Sequence, residues 1–258
     1  MFIKLKSANM KITSKIPMTL AALGAALATA FAAESTNLAA NPATNAGPPT
    51  TTIPDDRNYA AHLDYQTSWE DYLATQKSHP VDVVFIGDSI TQQWRWGNGR
   101  PVWRKFYADR ALDFGEGSDT TQNAIWRLKN LDVKAFKPKA AVILIGTNNT
   151  RDTPEDIAAG VKAVIEATRE TFKGVKVVLV SILPNQRAND RMMAANAILQ
   201  TFADNQSVFY LDLAAKFTPE GDNWKGLQRD HLHLTTAGYE IWASELNPLL
   251  AKLAPATP

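Results

Sequence analysis

Five short apolar runs, rich in β-branched residues, punctuate this 258-residue chain at 81–86, 111–114, 140–145, 175–182 and 208–213. They are continuous rather than alternating, as expected of strands covered on both faces. Longer stretches with helical spacing separate them. Strand–helix alternation of this kind produces a parallel sheet between two helical layers, with right-handed crossovers. The expected fold class is α/β, a three-layer α/β/α sandwich. Pattern alone does not give the strand order.

Local signals place the helices. Residues 58–76 read as a helix before the first strand, and 187–202 and 236–253 as two more. Over 120–130, Ala124, Ile125 and Leu128 share a face, and Asp119 with Gln122 resembles a capping box. Thr153-Pro154 opens a further helix, with proline at its first position and Ile157, Val161, Val164 and Ile165 at a 3.6-residue period.

The first 33 residues differ from the rest. Lys4, Lys6, Lys11 and Lys15 are accompanied by no acid, an alanine-rich apolar run follows, and Ala30-Phe31-Ala32 matches an A-x-A cleavage pattern. The expectation is a signal peptide over 1–33, a flexible linker over 34–54, rich in Ala, Asn, Thr and Pro, and one domain over 55–258. The product would be exported to the periplasm or the outside, with no stable membrane anchor. Losing four lysines takes the formal charge from +1 to about −3, so no basic field points to nucleic acid. Cysteine is absent and histidines number four. That excludes a thiol nucleophile and disulfides, and leaves a zinc site poorly supported.

The first strand runs into Gly87-Asp88-Ser89. In a parallel α/β sheet this places Ser89 at the carboxyl edge, where ligands bind. The hydroxyl could be a nucleophile, or it could simply cap the next helix. A nucleophilic serine needs a base, and Asp230-His231-Leu232-His233 offers one. Three-residue spacing can bring Asp230 beside the His233 ring; His231 is the rival base. His62 and His79 lie away from the strand ends. Gly146-Thr147-Asn148-Asn149 follows the third strand, and the Asn148 amide could donate to a developing oxyanion; an Asn-rich turn is the other reading. The stretch 115–121 lacks the Gly-Lys-Ser/Thr ending of a P-loop. Trp94, Trp96 and Trp103 follow the serine. Trp94 and Trp96 are candidates for stacking on a sugar, or they are packing residues. Arg95 and Arg100 could meet an acidic sugar, or only water.

Taken in order, Gly-Asp-Ser-Ile, Phe114-Gly115-Glu116-Gly117-Ser118-Asp119-Thr120-Thr121, Gly-Thr-Asn-Asn and Asp-His-Leu-His resemble the blocks of the SGNH (GDSL-type) hydrolases. The similarity is greatest to the branch of the platelet-activating-factor acetylhydrolase catalytic subunits and covers about 81–242. It implies a mostly parallel, five-stranded, flavodoxin-like sheet, with Ser89 as nucleophile, His233 as base and Asp230 as its orienting carboxylate. The backbone N–H of Ser89 and the Asn148 side chain would be oxyanion donors. The third donor in the family is a glycine N–H, and Ser118 stands at that position. Serine keeps the N–H but bears a steric cost if φ is positive; Gly117 is the alternative donor. The implied activity is a serine esterase removing short acyl groups, above all acetyl, from a small-molecule or glycan ester, without metal or organic cofactor. A lysophospholipase or thioesterase, and a non-hydrolytic glycan-binding protein, are the other readings.

Overall fold

The computed structural model describes residues 47–58, 63–217, 219, 221 and 224–255. Five strands form one sheet: β1 (Val83–Gly87), β2 (Ala111–Gly115), β3 (Ala140–Leu144), β4 (Lys176–Val180) and β5 (Val208–Leu211). Their order is β2-β1-β3-β4-β5. All four neighbouring pairs are parallel, with Val83 opposite both Ala111 and Ala140. This is the flavodoxin-like order. The chain moves outward from β1 to β2, then crosses back to β3. The direction reverses at β1/β3, so a crevice opens at the carboxyl ends of those two strands.

Seven helices complete the layers among the described residues: α1 (Leu63–Gln76), α2 (Ser89–Trp96), α3 (Arg100–Phe106), α4 (Thr121–Asn130), α5 (Pro154–Thr171), α6 (Asn189–Leu199) and α7 (Thr236–Leu253). The period-2 geometry of a strand divides the core in two. Val84, Ile86, Leu112, Phe114, Ile143 and Leu179 face α1, α4, α5 and α6. Val83, Phe85, Val142, Val178 and Val180 face α2, α3 and α7. Each buried side chain of this size contributes roughly 1.5–3 kcal/mol, and this burial on both faces fixes the strand ends on which the site stands.

Three local expectations shift. The residue capping α4 is Thr120, whose N–H donates to Asn123 Oδ1 at 3.0 Å, one position later than the Asp119/Gln122 pair. Asp119 is drawn instead into a buried ion pair with Arg127, at 2.7 Å. The helix expected over 187–202 begins at Asn189 and ends in a 3-10 turn, Gln200–Phe202. The end of the expected linker is not free chain: Thr50–Thr52 forms a 3-10 turn with Thr51 buried. Thr51 Oγ1 donates to Asp156 O at 2.7 Å, and Thr51 O accepts from Thr121 Oγ1 at 2.9 Å. Residues 45–258 form one compact unit. The expected signal peptide, the first part of the linker and His62 lie outside the described residues. No helix among the described residues is long and apolar enough to cross a membrane.

Candidate active site

The approach to the serine is set by crowding. A side chain at Gly87 would put its Cβ 2.1 Å from Thr91 Oγ1 and 2.2 Å from Leu144 O, so only glycine lets β1 turn here. Asp88 then caps α2, its Oδ1 accepting the Ile90 N–H at 2.9 Å. Ser89 is therefore not the capping residue. It occupies the first turn of α2 with its hydroxyl available at the sheet edge. Asp88 is fully buried, and burial pushes its carboxyl up to about 6, against the opposing pull of the Ile90 N–H.

His233 reaches Ser89 from the far end of the sequence. Its loop is pinned to α2 and the turn after it. Gln228 Nε2 donates to Gln93 Oε1 at 3.2 Å, Asn98 Nδ2 to Leu234 O at 3.2 Å, and the Tyr239 hydroxyl to Ile90 O at 2.6 Å. A bridge between Leu227 and Leu234, with Gln228 N–H on His233 O at 2.7 Å, fixes the backbone around the imidazole. Ser89 Oγ lies 2.8 Å from His233 Nε2, and His233 Nδ1 lies 2.6 Å from Asp230 Oδ2. The other carboxylate oxygen accepts the N–H groups of Leu232 and His233, at 3.1 and 3.0 Å. Burial pushes the Asp230 carboxyl up, but the hydrogen bonds from the His233 ring and these two N–H groups outweigh it and hold it below its ordinary value. An ionised Asp230 keeps a proton on Nδ1 and leaves Nε2 free to accept from Ser89. His231 points elsewhere: its ring stacks on Trp224, with centroids 4.6 Å apart and planes 5° from parallel.

The candidate oxyanion donors follow β2 and β3. Asp119 N–H donates to Glu116 O at 3.2 Å, closing a turn in which Ser118 has φ of 64° and Gly117 is not left-handed. That is a type II turn, whose third residue is ordinarily glycine. The steric cost expected of a serine here is thus present. Gly117 N–H is already bonded to Glu116 Oε1 at 3.2 Å. The Ser118 N–H has no such bond, which favours Ser118 over Gly117 as donor. Asn148, on the loop after β3, gives one amide hydrogen to Asp119 O at 2.9 Å. Its second amide hydrogen remains available, and its Oδ1 accepts from Arg187 Nη1 at 3.0 Å. The donor loop is anchored from below by Arg127, which bonds Asp119 Oδ2 and, through Nη2, Phe114 O at 3.0 Å.

The two tryptophans separate. Trp94 is wholly buried among Phe85, Tyr107, Tyr239 and Trp242 and cannot touch a substrate. Trp96 is 71 % exposed. Trp103 is a core residue. Sequence reasoning missed Arg127 and Arg187, whose partners lie on other elements. Among the described residues no cluster of His, Cys, Asp and Glu could hold a metal ion.

The model of the GDSL-like lipase/acylhydrolase family matches residues 85–241. The chain is 32% identical over 195 residues to the platelet-activating factor acetylhydrolase IB subunit alpha1 of Pongo abelii, covering 70% of this chain and 80% of that protein. It is 31% identical over 189 residues to the alpha2 subunit of Rattus norvegicus, covering 70% and 81%. The fold is similar to the crystal structure of the lipase/acylhydrolase from Enterococcus faecalis, with TM-score 0.55, 22% identity and coverage of 69% of this chain and 100% of that one. The acetylhydrolase relatives are intracellular proteins. That overturns the expectation of periplasmic or extracellular export, which rested on residues outside those described.

Proposed function

The chain belongs to the GDSL-like lipase/acylhydrolase family, and from that premise we propose that it is a serine esterase cleaving short acyl groups, acetyl above all, from carbohydrate hydroxyls. The observation that carries this reading is the unbroken relay from Ser89 Oγ to His233 Nε2 and from His233 Nδ1 to Asp230.

His233 Nε2 takes the Ser89 proton as Oγ forms a bond to the ester carbonyl carbon. The carbonyl electron pair moves to oxygen, where the N–H groups of Ser89 and Ser118 and the free Asn148 amide hydrogen receive it. Preorganised donors of this kind are typically worth about 100- to 1000-fold each. Asp230 stabilises the imidazolium. The proton on Nε2 passes to the leaving alkoxide oxygen as its bond to carbon breaks. Water then attacks the acyl-serine, giving a proton to Nε2, and the acid leaves as Oγ regains its proton.

Short acyl groups fit the surface. Among the described residues the large exposed apolar side chains are Ile53, Trp96 and Phe106, too few for a surface that takes a long chain. The curated relatives carry acetylhydrolase in their names. Trp96 supports a carbohydrate alcohol, because an exposed indole gives a ring an apolar face. The test is acid release from esters of graded chain length by the wild type and by Ser89→Ala. The expected result is highest kcat/KM on acetyl esters and a fall of roughly 10⁴-fold or more in the variant. Rates that rise with chain length would instead favour a lysophospholipase or thioesterase. Equal rates in the two proteins would remove Ser89 from the mechanism.

A further inference from the structure

We propose that the cleft between α1 and α2 is a subsite for a neutral pyranose ring, with Trp96 as its stacking platform and Arg95 and Glu116 as its hydroxyl partners. The cleft encloses about 350 Å³, within the range of small-molecule sites. Trp69 and Tyr72 of α1 form one wall, and Gln92, Arg95 and Trp96 of α2 the other. Its base is Glu116, two residues from the Ser118 donor, and Gln92 is one helical turn from Ser89. A ring held here is therefore beside the reacting ester. A larger cavity, of about 480 Å³, is lined by Val81, Asp82 and Phe136 near the amino-terminal end of β1. That is the opposite edge of the sheet from Ser89.

Arg95 points to a ligand. Its side chain is only 15% exposed, yet its guanidinium donates no hydrogen bond among the described residues, and Nε is wholly buried. It lies 3.9 Å from the centre of the Tyr72 ring and 5.0 and 5.3 Å from those of Trp96 and Trp69. The Asp113 carboxylate sits 3.8 Å behind it. The aromatic rings accept its charge and its buried Nε is ion-paired with Asp113, while no described residue accepts from the two Nη groups, which leaves their N–H donors for a ligand. Across the cleft Glu116 Oε1 takes hydrogen bonds from Gln92 Nε2 at 3.3 Å and Gly117 N–H at 3.2 Å, and Oε2 takes one from Trp69 Nε1 at 3.1 Å, which leaves acceptor capacity on Oε2.

The ligand class follows from this balance. A cation meets Arg95; an anion meets Glu116 and, behind Arg95, Asp113. A hydroxyl accepts from Arg95 and also donates to Glu116, and adjacent hydroxyls on one ring do both. The C–H face of a pyranose covers Trp96. No planar or long apolar ligand uses all three groups.

This inference rests on the esterase reading only for its effect on turnover, so binding and catalysis are measured separately. In Ser89→Ala, methyl pyranosides should quench indole fluorescence saturably, and Trp96→Ala in the same background should abolish the signal. In the catalytic protein, Trp96→Ala should raise KM for a monoacetylated methyl pyranoside about tenfold, roughly 1.4 kcal/mol of lost binding. It should leave kcat/KM for ethyl acetate, whose leaving group has no ring, unchanged. Arg95→Met should produce the same split, and its Tm reports whether it folds. Binding of a uronate but of no neutral pyranoside would overturn the ligand class. An equal loss on both esters, or no loss on either, would overturn the subsite. Inactivity on every ester with pyranoside binding intact would instead refute the esterase reading and leave the subsite standing.

Discussion

Ser118 bears the most unusual backbone near the proposed oxyanion site, and replacing it with glycine isolates the cost. A non-glycine residue in the left-handed region gives up about 1–2 kcal/mol. Ser118 is exposed and its hydroxyl makes no hydrogen bond among the described residues, so nothing is lost with the side chain. Glycine has more freedom to lose on folding, which offsets about 0.5–1 kcal/mol of the gain. The net expectation for Ser118→Gly is a stabilisation of about 0.5–1 kcal/mol. For a domain of this size that is a rise in Tm of roughly 1–4 °C. Ser118→Ala keeps a Cβ at φ of 64° and should leave Tm where it is. Both variants retain the backbone N–H, so neither should approach the roughly 100-fold fall in kcat that losing a donor brings. Calorimetry of the three proteins, with ethyl acetate kinetics beside it, decides the matter. A Tm that falls in the glycine variant, or rises equally with alanine, would show that the turn is not strained as argued. A 100-fold loss of kcat in both would place the Ser118 hydroxyl, not its N–H, in the mechanism.

Two further variants test the surroundings of the relay. Arg187→Ala removes the cation holding Asn148 Oδ1; because Arg187 is exposed, kcat should fall only about 3- to 10-fold, equivalent to about 1 kcal/mol, with KM nearly constant. An unchanged kcat would make the 3.0 Å contact incidental. Asp88→Asn keeps a capping oxygen for Ile90 and removes a buried titratable group. Because the folded carboxyl is raised from 3.8 to about 6, the stability linked to its proton is fully present below pH 4 and is lost as pH rises through 6. The variant lacks that loss, so relative to wild type it should gain on the order of 3 kcal/mol between pH 4 and pH 7. Urea unfolding across that range reads the gain directly; a difference independent of pH refutes the buried-charge argument.

Much of this was legible in the sequence where the determining contacts are local. The helix expected over 236–253 is α7 to the residue, because its Thr235 cap and apolar spacing lie within its own segment. The five strands are found within two residues at every end, since continuous apolar runs of this length fit a sheet covered on both faces. The approach of Ser89, His233 and Asp230 to one another was legible too, for Asp230 and His233 share one turn and Ser89 follows a strand. The pairing of Trp94 with Trp96 was misleading, though helical geometry contained the correction. Two positions on a helix stand about 200° apart, so when Trp94 joins Ile90 in the core, Trp96 must face away from it. The partners of Arg127, Arg187 and Arg95 were beyond reach for a different reason. Arg187 meets its partner 39 residues away, and Asp113 meets Arg95 only because the β1–β2 crossover lays α2 beside β2. Asp119 was read as a helix cap because nothing nearby announces an arginine two turns later in a buried pair.

The topology also explains how the work is divided around Ser89. Ser89 and Asn148 follow β1 and β3, the adjacent central strands at which the winding reverses, so their separation is set by the sheet's hydrogen bonds. The Ser118 turn follows β2, on the other side of β1, and would inherit only the looser geometry of an edge strand. Arg127 removes that freedom. Its guanidinium bonds Asp119 Oδ2 and Phe114 O, and Asp119 O in turn receives the Asn148 amide. The two proposed donors outside Ser89, on the Ser118 turn and at Asn148, are thereby tied to each other and to the sheet through one buried cation. Replacing such an ion pair with apolar residues is often neutral or stabilising to a fold, so stability alone does not account for burying it. It gives the donor turn a fixed distance from β1 and β3, which is the requirement a developing oxyanion imposes. His233 has no strand to hold it at that precision. Its loop is held instead by hydrogen bonds to α2, and its ring by Asp230 on its own turn; in the proposed reaction it would take the Ser89 proton and pass it to the leaving alcohol.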